Sequence, residues 1–305
     1  MTNFYMLIGI PGSGKSTWAE KHKGEYKFNI LSSDALRVEL FNDVNFQKDN
    51  AQVFHVMRKR TLENLKSEIN MCYDATNINR KSRKGILAYI NQECPDVKKI
   101  AIVFATPYNI CLENNNNRER VVPEEVLYRM MSNFEIPSYA EGFDEIKIIQ
   151  NYPTMYDYND AYMAMQGFDQ KNPHHALDLM RHCEKCQDYV LQQNDILDII
   201  PEIAMAALLH DYGKLFTASW DEEKSCNHYY NHENVGAYKL LTECRFPSWI
   251  NINDVIFYIN YHMLPYAMKK MSDKKRDYTT KQFSKNKFKW EALNIIHEGD
   301  EYAHS

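Results

Sequence analysis

The chain has 305 residues, 44% of them hydrophobic and 25% charged, which is an ordinary composition for a globular protein. At about 100–200 residues per domain, this length indicates two domains. The formal net charge of −5 argues against a broad basic face for tight, non-specific binding of nucleic acid, although a local basic groove is compatible with it.

The first half of the chain alternates between strand-like and helix-like patterns. Apolar runs predict strands, and amphipathic stretches predict helices, in the chain order 4–8 strand, 16–23 helix, 28–31 strand, 50–70 helix, 71–73 strand, 99–105 strand, 123–134 helix and 146–150 strand. The run from Lys99 to Ala105 is continuous and apolar, as expected of a buried parallel strand. This alternation predicts an α/β domain over residues 1–152, a parallel sheet with flanking helices.

The second half has a different character. Residues 153–172 are rich in Tyr, Asp and Asn without long periodicity, and we interpret them as a linker. From 173 onward the patterns predict only helices, over 174–193, 201–210, 232–243, 249–262 and 290–303, with a polar and basic loop or exposed helix over 273–289. An all-α domain over 173–305 is therefore expected.

The chain lacks the marks of secretion or membrane insertion. No apolar run reaches the roughly 18–20 residues of a membrane helix, and the N-terminus lacks the basic start and cleavage site of a signal peptide. Seven scattered cysteines favour a reducing compartment, and Cys183 and Cys186 fall inside a predicted helix, where packing is favoured over a zinc site. We expect a cytoplasmic protein with no membrane partner.

Residues 9–17, GIPGSGKST, fit the phosphate-binding pattern G-x-x-x-x-G-K-[ST] between a predicted strand and a predicted helix. Backbone N–H groups and the helix N-terminus would surround the phosphates. Lys15 would reach the β- and γ-phosphates, and the Ser16 hydroxyl would bind Mg²⁺. The predicted ATP-binding residues are Gly9, Pro11, Gly12, Ser13, Gly14, Lys15, Ser16 and Thr17, together with Arg118 further along the chain.

Two further motifs follow strands and indicate an acceptor site. In SSDALR, Asp34 could take the proton of an attacking hydroxyl, and Arg37, one helical turn later, could hold an acceptor phosphate. In DATN, Asp74 and Thr76 could lie near Mg²⁺ or the acceptor. Helix capping is the alternative role for Asp34, Asp74 and Thr76.

Arginines precede the predicted helix at 123–134. Arg118 and Arg120 could belong to a lid that stabilises charge on the transferring phosphoryl group. The alternative is a solvated charged face.

The order of these motifs resembles the kinase domain of 5′-hydroxyl polynucleotide kinases, over about residues 1–150 and including the stretch EGFD at 141–144. The resemblance implies that Lys15 and Ser16 handle ATP·Mg²⁺, that Asp34 is the general base and that Arg37 grips the first phosphate of the acceptor. It also implies that Arg120 is the lid arginine. Many relatives instead have an arginine shortly after the position of Cys111, where this chain has Asn114–Asn117, so Arg118 could substitute.

The second half carries candidate metal ligands. His210 and Asp211, in HDYGK, follow an apolar stretch, and adjacent His and Asp can bind one divalent ion if the backbone presents both. Further candidates before and after this pair are His182, His228, His232, His262 and Asp300.

This pattern resembles the HD superfamily of metal-dependent phosphohydrolases over roughly residues 173–305, with the closest likeness to the HD domains attached to tRNA nucleotidyltransferases. The resemblance implies metal ligands at His182, His210, Asp211 and Asp300 and a phosphate contact from Lys214. His228, His232 and His262 are candidates for a second ion or a phosphate, and His174 and His175 are alternatives to His182. Imidazole ligands favour Mn²⁺, Fe, Co²⁺ or Ni²⁺ over Mg²⁺ alone.

Two such sites on one chain suggest an end-healing enzyme. The main hypothesis is a 5′-OH polynucleotide kinase fused to a 2′,3′-cyclic or 3′ (2′) phosphatase that acts on RNA ends more than DNA ends, with ATP and Mg²⁺ as cofactors and a separate RNA ligase as a partner. The alternatives are a small-molecule nucleoside or nucleotide kinase fused to a nucleotide phosphohydrolase, and a nucleotide-sensing regulatory protein.

Overall fold

The computed structural model describes residues 1–46, 48–172, 177–195 and 198–304. The chain forms two compact units. The first comprises Met1–Met131 and Pro137–Tyr152, and the second comprises Ser132–Ile136 and the residues from Pro153 onward. In the described residues, no helix is both long and apolar enough to cross a membrane.

The first unit is built on a five-stranded parallel sheet with the strand order β2-β3-β1-β4-β5. Its strands are β1 (Asn3–Ile8), β2 (Phe28–Ser32), β3 (Asn70–Asp74), β4 (Lys98–Phe104) and β5 (Glu145–Ile149). The central strands β1 and β4 are almost wholly buried because both sheet faces are covered, which explains their continuous apolar sequence. The predicted α/β architecture is confirmed.

Six helices accompany this sheet: α1 (Lys15–Tyr26), α2 (Ser33–Phe41), α3 (Asn50–Lys66), α4 (Arg80–Glu93), α5 (Tyr108–Asn116) and α6 (Glu124–Met131). A 3-10 turn covers Tyr139–Glu141. In parallel sheets, the loops at the carboxyl ends of the strands collect the ligand-binding residues. The loops after β1, β2 and β3 carry the three motifs of the first unit to this one edge.

The second unit is helical. Its helices are α7 (Tyr158–Met163), α8 (Leu179–Gln192), α9 (Pro201–Leu209), α10 (Lys214–Thr217), α11 (His232–Glu243), α12 (Ile252–Tyr261), α13 (Leu264–Lys269), α14 (Asp273–Phe283) and α15 (Lys287–Ala303). The predicted helical fold is confirmed, with one local exception. Ala218–Asp221 (β6) and Cys226–Tyr229 (β7) form an antiparallel hairpin, and strands of four residues are too short to show a period.

The segment interpreted as a linker belongs to the second unit. Within it, Tyr156–Asp157 pairs in parallel with Cys244–Arg245, and the Met155 N–H donates to the Glu243 carbonyl at 2.8 Å. Helix α7 follows directly, with Asp157 as its N-cap. Short helices of this kind lack the several turns that make amphipathic periodicity recognisable.

Residues 132–136 also belong to the second unit, although residues on both sides of them in sequence belong to the first. The Ile136 N–H donates to Asn260 Oδ1 at 2.8 Å, and Asn260 Nδ2 donates to the Phe134 carbonyl at 3.0 Å. The buried Phe134 ring meets Tyr238 edge-on, with ring centres 5.3 Å apart. The helix predicted over 123–134 accordingly ends at Met131.

Candidate active sites of the two units

The loop from Gly9 to Gly14 joins β1 to α1. Gly12 and Gly14 have φ angles of 82° and 89°, which favour glycine, and a Cβ atom on Gly12 would lie 2.1 Å from the Cys111 carbonyl oxygen. Lys15 is buried, and its Nζ donates to the Ile10 carbonyl at 2.8 Å and to Ser13 Oγ at 3.3 Å. Burial lowers the pKa of this ammonium group, and the nearby Asp74 carboxylate opposes the shift.

Ser16 and Asp74 form a ready pair of oxygen ligands. Ser16 Oγ donates to Asp74 Oδ2 at 2.7 Å, and Asp74 is the last residue of β3, which pairs with β1. Burial raises the pKa of the Asp74 carboxyl, while Lys15 and the Ser16 hydrogen bond lower it. A hydroxyl and a carboxylate beside a phosphate loop are the protein ligands that Mg²⁺ takes in P-loop enzymes. The residues present therefore fit a nucleotide-bound Mg²⁺.

Asp34 lies between two arginines. Its Oδ1 accepts from Arg37 Nη1 at 3.0 Å and from Arg120 Nη1 at 2.5 Å. The N-cap of α2 is Ser32, whose Oγ accepts from the backbone N–H groups of residues 34 and 35, so Asp34 is not the cap. Likewise the cap of α4 is Asn79 rather than Thr76.

Two cavities meet at the phosphate loop. One, of about 700 Å³, is lined by Gly12, Gly14, Thr17 and neighbours on α1 and α5. The other, of about 140 Å³, is lined by Pro11, Asp34, Arg37, Asp74, Thr76 and Arg120, among others. Lys15, Ser16 and Arg118 border both cavities. The larger cavity has room for a nucleotide, and the three shared residues lie where its terminal phosphate would meet an acceptor.

Sequence reasoning missed the support beneath this site. Arg83, fully buried, donates Nε and Nη2 to the two Glu141 oxygens at 2.7 and 2.8 Å and Nη1 to the Asn77 carbonyl at 3.1 Å. Asn77 has a φ of 48°, and its side chain donates to the Leu7 carbonyl at 2.8 Å. These bonds fix the turn after β3 against β1, and removing one partner of a buried ion pair is costly. In the sequence, the one indication of this support was an asparagine, Asn77, at a predicted turn.

In the second unit, side chains from five elements converge. His182, His210, Asp211 and Asp300 offer ligand atoms that all lie within 4.8 Å of one another, and so do Asp211, His232 and His262. Asp211 belongs to both sets. Five of these six residues are buried, and Asp300 is partly exposed.

Backbone carbonyls orient three of the histidines. The Nδ1–H groups of His210, His232 and His262 donate to carbonyls three residues earlier, each at 2.8 Å. Their Nε2 lone pairs are then left to accept a proton or a metal ion. His232 Nε2 and His262 Nε2 face each other at 3.2 Å, and the buried His210 Nε2 has no hydrogen-bond partner among the described residues.

This donor set fits a divalent ion, because facing lone pairs repel unless a cation lies between them. Burial, together with His210 and His232, lowers the pKa of His262 to about 3, which favours the neutral, metal-binding form. Burial raises the pKa of Asp211, but Lys214 and His210 outweigh it and hold the pKa well below the usual value. Lys214 Nζ lies 2.6 Å from Asp211 Oδ2 and donates to Gln170 Oε1 at 2.9 Å.

Two other histidine expectations have different outcomes. His228 lies on the hairpin, where its Nε2 is 3.0 Å from Asp221 Oδ2, and it is in neither of the ligand sets formed by the described residues. In the register of this hairpin His228 lies opposite Ser219, and Asp221 is two residues further along the same strand as Ser219. His174 and His175 lie outside the described residues.

Gly213 allows the turn after Asp211 to pack tightly. A Cβ atom there would lie 1.9 Å from the His232 carbonyl oxygen and 2.7 Å from the Gly236 nitrogen. Gly213→Ala should therefore displace α11 and destabilise the second unit by about 1–3 kcal/mol, the usual cost of overpacking. Calorimetry and metal analysis would measure the change.

Gly85→Ala is the matched control for this prediction. Gly85 lies inside α4, and a Cβ atom there would have nothing within 4 Å, so alanine should stabilise the helix by about 0.5–1 kcal/mol. Equal unfolding temperatures for the two variants would contradict the role given to Gly213.

Comparison with known proteins agrees with this division. Residues 4–137 match the family model of an AAA domain, and residues 175–296 match that of the HD domain. The chain thus carries a P-loop kinase-type domain followed by a helical HD domain. A kinase domain of this kind implies ATP and Mg²⁺, and an HD domain implies a divalent metal ion.

Among individual proteins, the chain is 25% identical over 161 residues to the L-seryl-tRNA(Sec) kinase of Methanococcus maripaludis. The match covers 51% of this chain and 61% of that relative, so the chain spans less than two thirds of the relative's length. A gluconokinase structure from Sinorhizobium meliloti 1021 aligns with 15% identity and a TM-score of 0.36 over 50% of this chain and 84% of the other.

Proposed function

We propose that the protein heals nucleic-acid ends, on RNA more than on DNA: the first unit phosphorylates a 5′-hydroxyl, and the second removes a 2′,3′-cyclic or 3′ (2′) phosphate. The observation that carries the kinase half is the acceptor cavity. It presents the Asp34 carboxylate together with Arg37 and Arg120, beside the phosphate loop. The carboxylate can accept a proton from a hydroxyl group, and the neighbouring guanidinium groups can bind a phosphate. The cavity therefore suits an acceptor that carries both a hydroxyl and a phosphate.

In the kinase step, the acceptor hydroxyl oxygen forms a bond to the γ-phosphorus and its proton passes to Asp34. The bond between the γ-phosphorus and the bridging oxygen breaks, and ADP leaves with the electron pair. Lys15 and Arg118 border both cavities and are assigned to the charge of the transferring group, as such cations act in phosphoryl transfer. Asp74, beside Ser16, and Thr76 also line the acceptor cavity.

In the hydrolase step, His182, His210, Asp211 and Asp300 would hold one divalent ion, and Asp211 with His232 and His262 a second. Bound metal supplies a water of lowered pKa and polarises phosphoryl oxygens. Lys214 is assigned to the substrate phosphate, since its buried ammonium already faces a carboxylate at this site. The imidazole-rich set favours Mn²⁺, Fe, Co²⁺ or Ni²⁺.

The test uses one substrate for both halves. An RNA oligonucleotide with a 5′-hydroxyl and a 2′,3′-cyclic phosphate is incubated with γ-labelled ATP, Mg²⁺ and either Mn²⁺ or Ni²⁺. We expect label at the 5′ end and loss of the cyclic phosphate, which would prepare the ends for a separate RNA ligase. Labelling of free nucleosides but not of RNA would contradict the polymer acceptor and favour a small-molecule kinase.

A second acceptor has its own observation. The relative named above is a kinase of L-seryl-tRNA(Sec), so the serine hydroxyl of a charged tRNA is a candidate for the same cavity. Seryl-tRNA should be assayed in parallel with its deacylated form. Label that disappears on deacylation would place the phosphate on serine and not on a 5′ end.

A further inference from the structure

Arg120 donates a hydrogen bond to the carboxylate oxygen that the proposed kinase reaction needs as its base. Asp34 Oδ1, the oxygen that would receive the hydroxyl proton, already accepts from Arg120 and from Arg37. With two guanidinium donors on this oxygen, an incoming hydroxyl must displace one of them before it can hydrogen-bond there. In this arrangement the base is engaged before any acceptor arrives.

The two arginines are held very differently. Arg37 is nearly buried, and it also donates to the Ser33 carbonyl at 3.2 Å and to Asn50 Oδ1 at 2.7 Å. Arg120 is more exposed, and Asp34 is its one hydrogen-bond partner among the described residues. Arg37 is therefore a fixed part of the cavity, whereas Arg120 can move at the cost of a single ion pair.

The cavity around this ion pair favours an anion. Its lining holds four cationic side chains, those of Lys15, Arg37, Arg118 and Arg120, against the two carboxylates of Asp34 and Asp74. The Nε–H groups of Arg37 and Arg118 are buried without a hydrogen-bond partner among the described residues. An entering phosphate would find unpaired donors and excess positive charge.

We infer that Arg120 is a latch on Asp34, which a phosphate group of the acceptor opens by competing for the guanidinium group. This inference rests on the proposed kinase function and explains how acceptor binding would regulate it. Before the acceptor binds, Asp34 is held and ATP is protected from water; once the phosphate takes Arg120, Asp34 is free to receive the hydroxyl proton. Arg120 borders the acceptor cavity and not the nucleotide cavity in the described structure, which suits this role.

The latch predicts that an acceptor without a hydroxyl will stimulate ATP hydrolysis. The probe is an oligonucleotide with its phosphates intact and its 5′-hydroxyl replaced by hydrogen, so that water takes the vacant place. In that step a water oxygen bonds to the γ-phosphorus, its proton passes to Asp34, and ADP leaves with the electron pair. We expect the wild-type rate of Mg²⁺-dependent ATP hydrolysis to rise about tenfold or more, a modest part of what a general base can contribute.

Variants separate the latch from general damage. Arg120→Gln should hydrolyse ATP faster than wild type without the probe, and the probe should add little. Arg120→Lys should keep part of the stimulation. Arg129→Gln, a change at an exposed arginine on α6, should behave as wild type.

Two outcomes overturn the inference, and they differ. If the 5′-hydroxyl oligonucleotide is phosphorylated but the deoxy probe leaves ATP hydrolysis at its basal rate, the latch is wrong and the proposed kinase function stands. If no 5′-hydroxyl acceptor is phosphorylated, the proposed function fails and the latch fails with it.

Discussion

Asp211→Ala should abolish phosphohydrolase activity and most metal binding while kinase activity persists. Asp211 is shared by both ligand sets, and its loss would also leave Lys214 buried without its nearest carboxylate. Substitutions next to metal ligands already lower affinity or activity by about 10–100-fold, so loss of a shared ligand should cost at least about 100-fold. Elemental analysis and hydrolysis of the RNA cyclic phosphate would measure both effects.

Two further variants, His232→Asn and Asp273→Ala, should have a smaller effect and no effect on metal binding, respectively. The first should lose part of the bound metal, because His182, His210 and Asp300 remain. The second changes an aspartate whose side chain is 89% exposed, and it should have no effect. Normal metal content in Asp211→Ala, or loss of kinase activity in a folded sample, would contradict the assignment.

Lys15→Ala should reduce phosphoryl transfer by about 10²–10³-fold, the usual cost of removing one group that stabilises transition-state charge. Lys15 borders both cavities, and no other lysine of the chain lines the acceptor cavity among the described residues. Label transfer from ATP would measure the loss. Hydrolysis of the cyclic phosphate should be unchanged.

Asp34→Ala tests the same phosphoryl-transfer step. We expect the transfer rate to fall by about 10²–10⁴-fold, because the general base is removed. Lys23→Ala, at an exposed lysine on α1, is the control. Near-normal transfer by Lys15→Ala would contradict a phosphate-binding role, and parallel loss of the hydrolase would contradict independent sites.

The sequence predicted most of the fold because its signals are local. Apolar runs placed the five strands of the first sheet within one or two residues, and α11 begins and ends at the predicted His232 and Glu243. The predicted helix 174–193 begins instead at Leu179 within the described part, where Asp178 caps it. The hairpin and α7 were missed because four- to six-residue elements carry too little periodicity.

The sequence predicted which residues form the candidate sites, but it did not predict how they are arranged in space. His210 and Asp211 are adjacent in sequence, but the position of Asp211 in both ligand sets depends on how separate helices pack. Arg83 and Glu141 are 58 residues apart, and no local pattern links them. The contact between Arg120 and Asp34 spans 86 residues, so the sequence indicated two roles without indicating that one residue holds the other.

The interleaved path of the chain has a consequence for biosynthesis. The segment with Phe134 and Ile136 leaves the ribosome 124 residues before Asn260, the residue that satisfies its backbone. At about 5–20 residues per second, this delay lasts on the order of ten seconds, during which an apolar segment stays uncovered on the nascent chain. A fragment that starts at Pro153 would lack this buried piece of the second unit, so we expect it to be less stable than the same unit in the full chain.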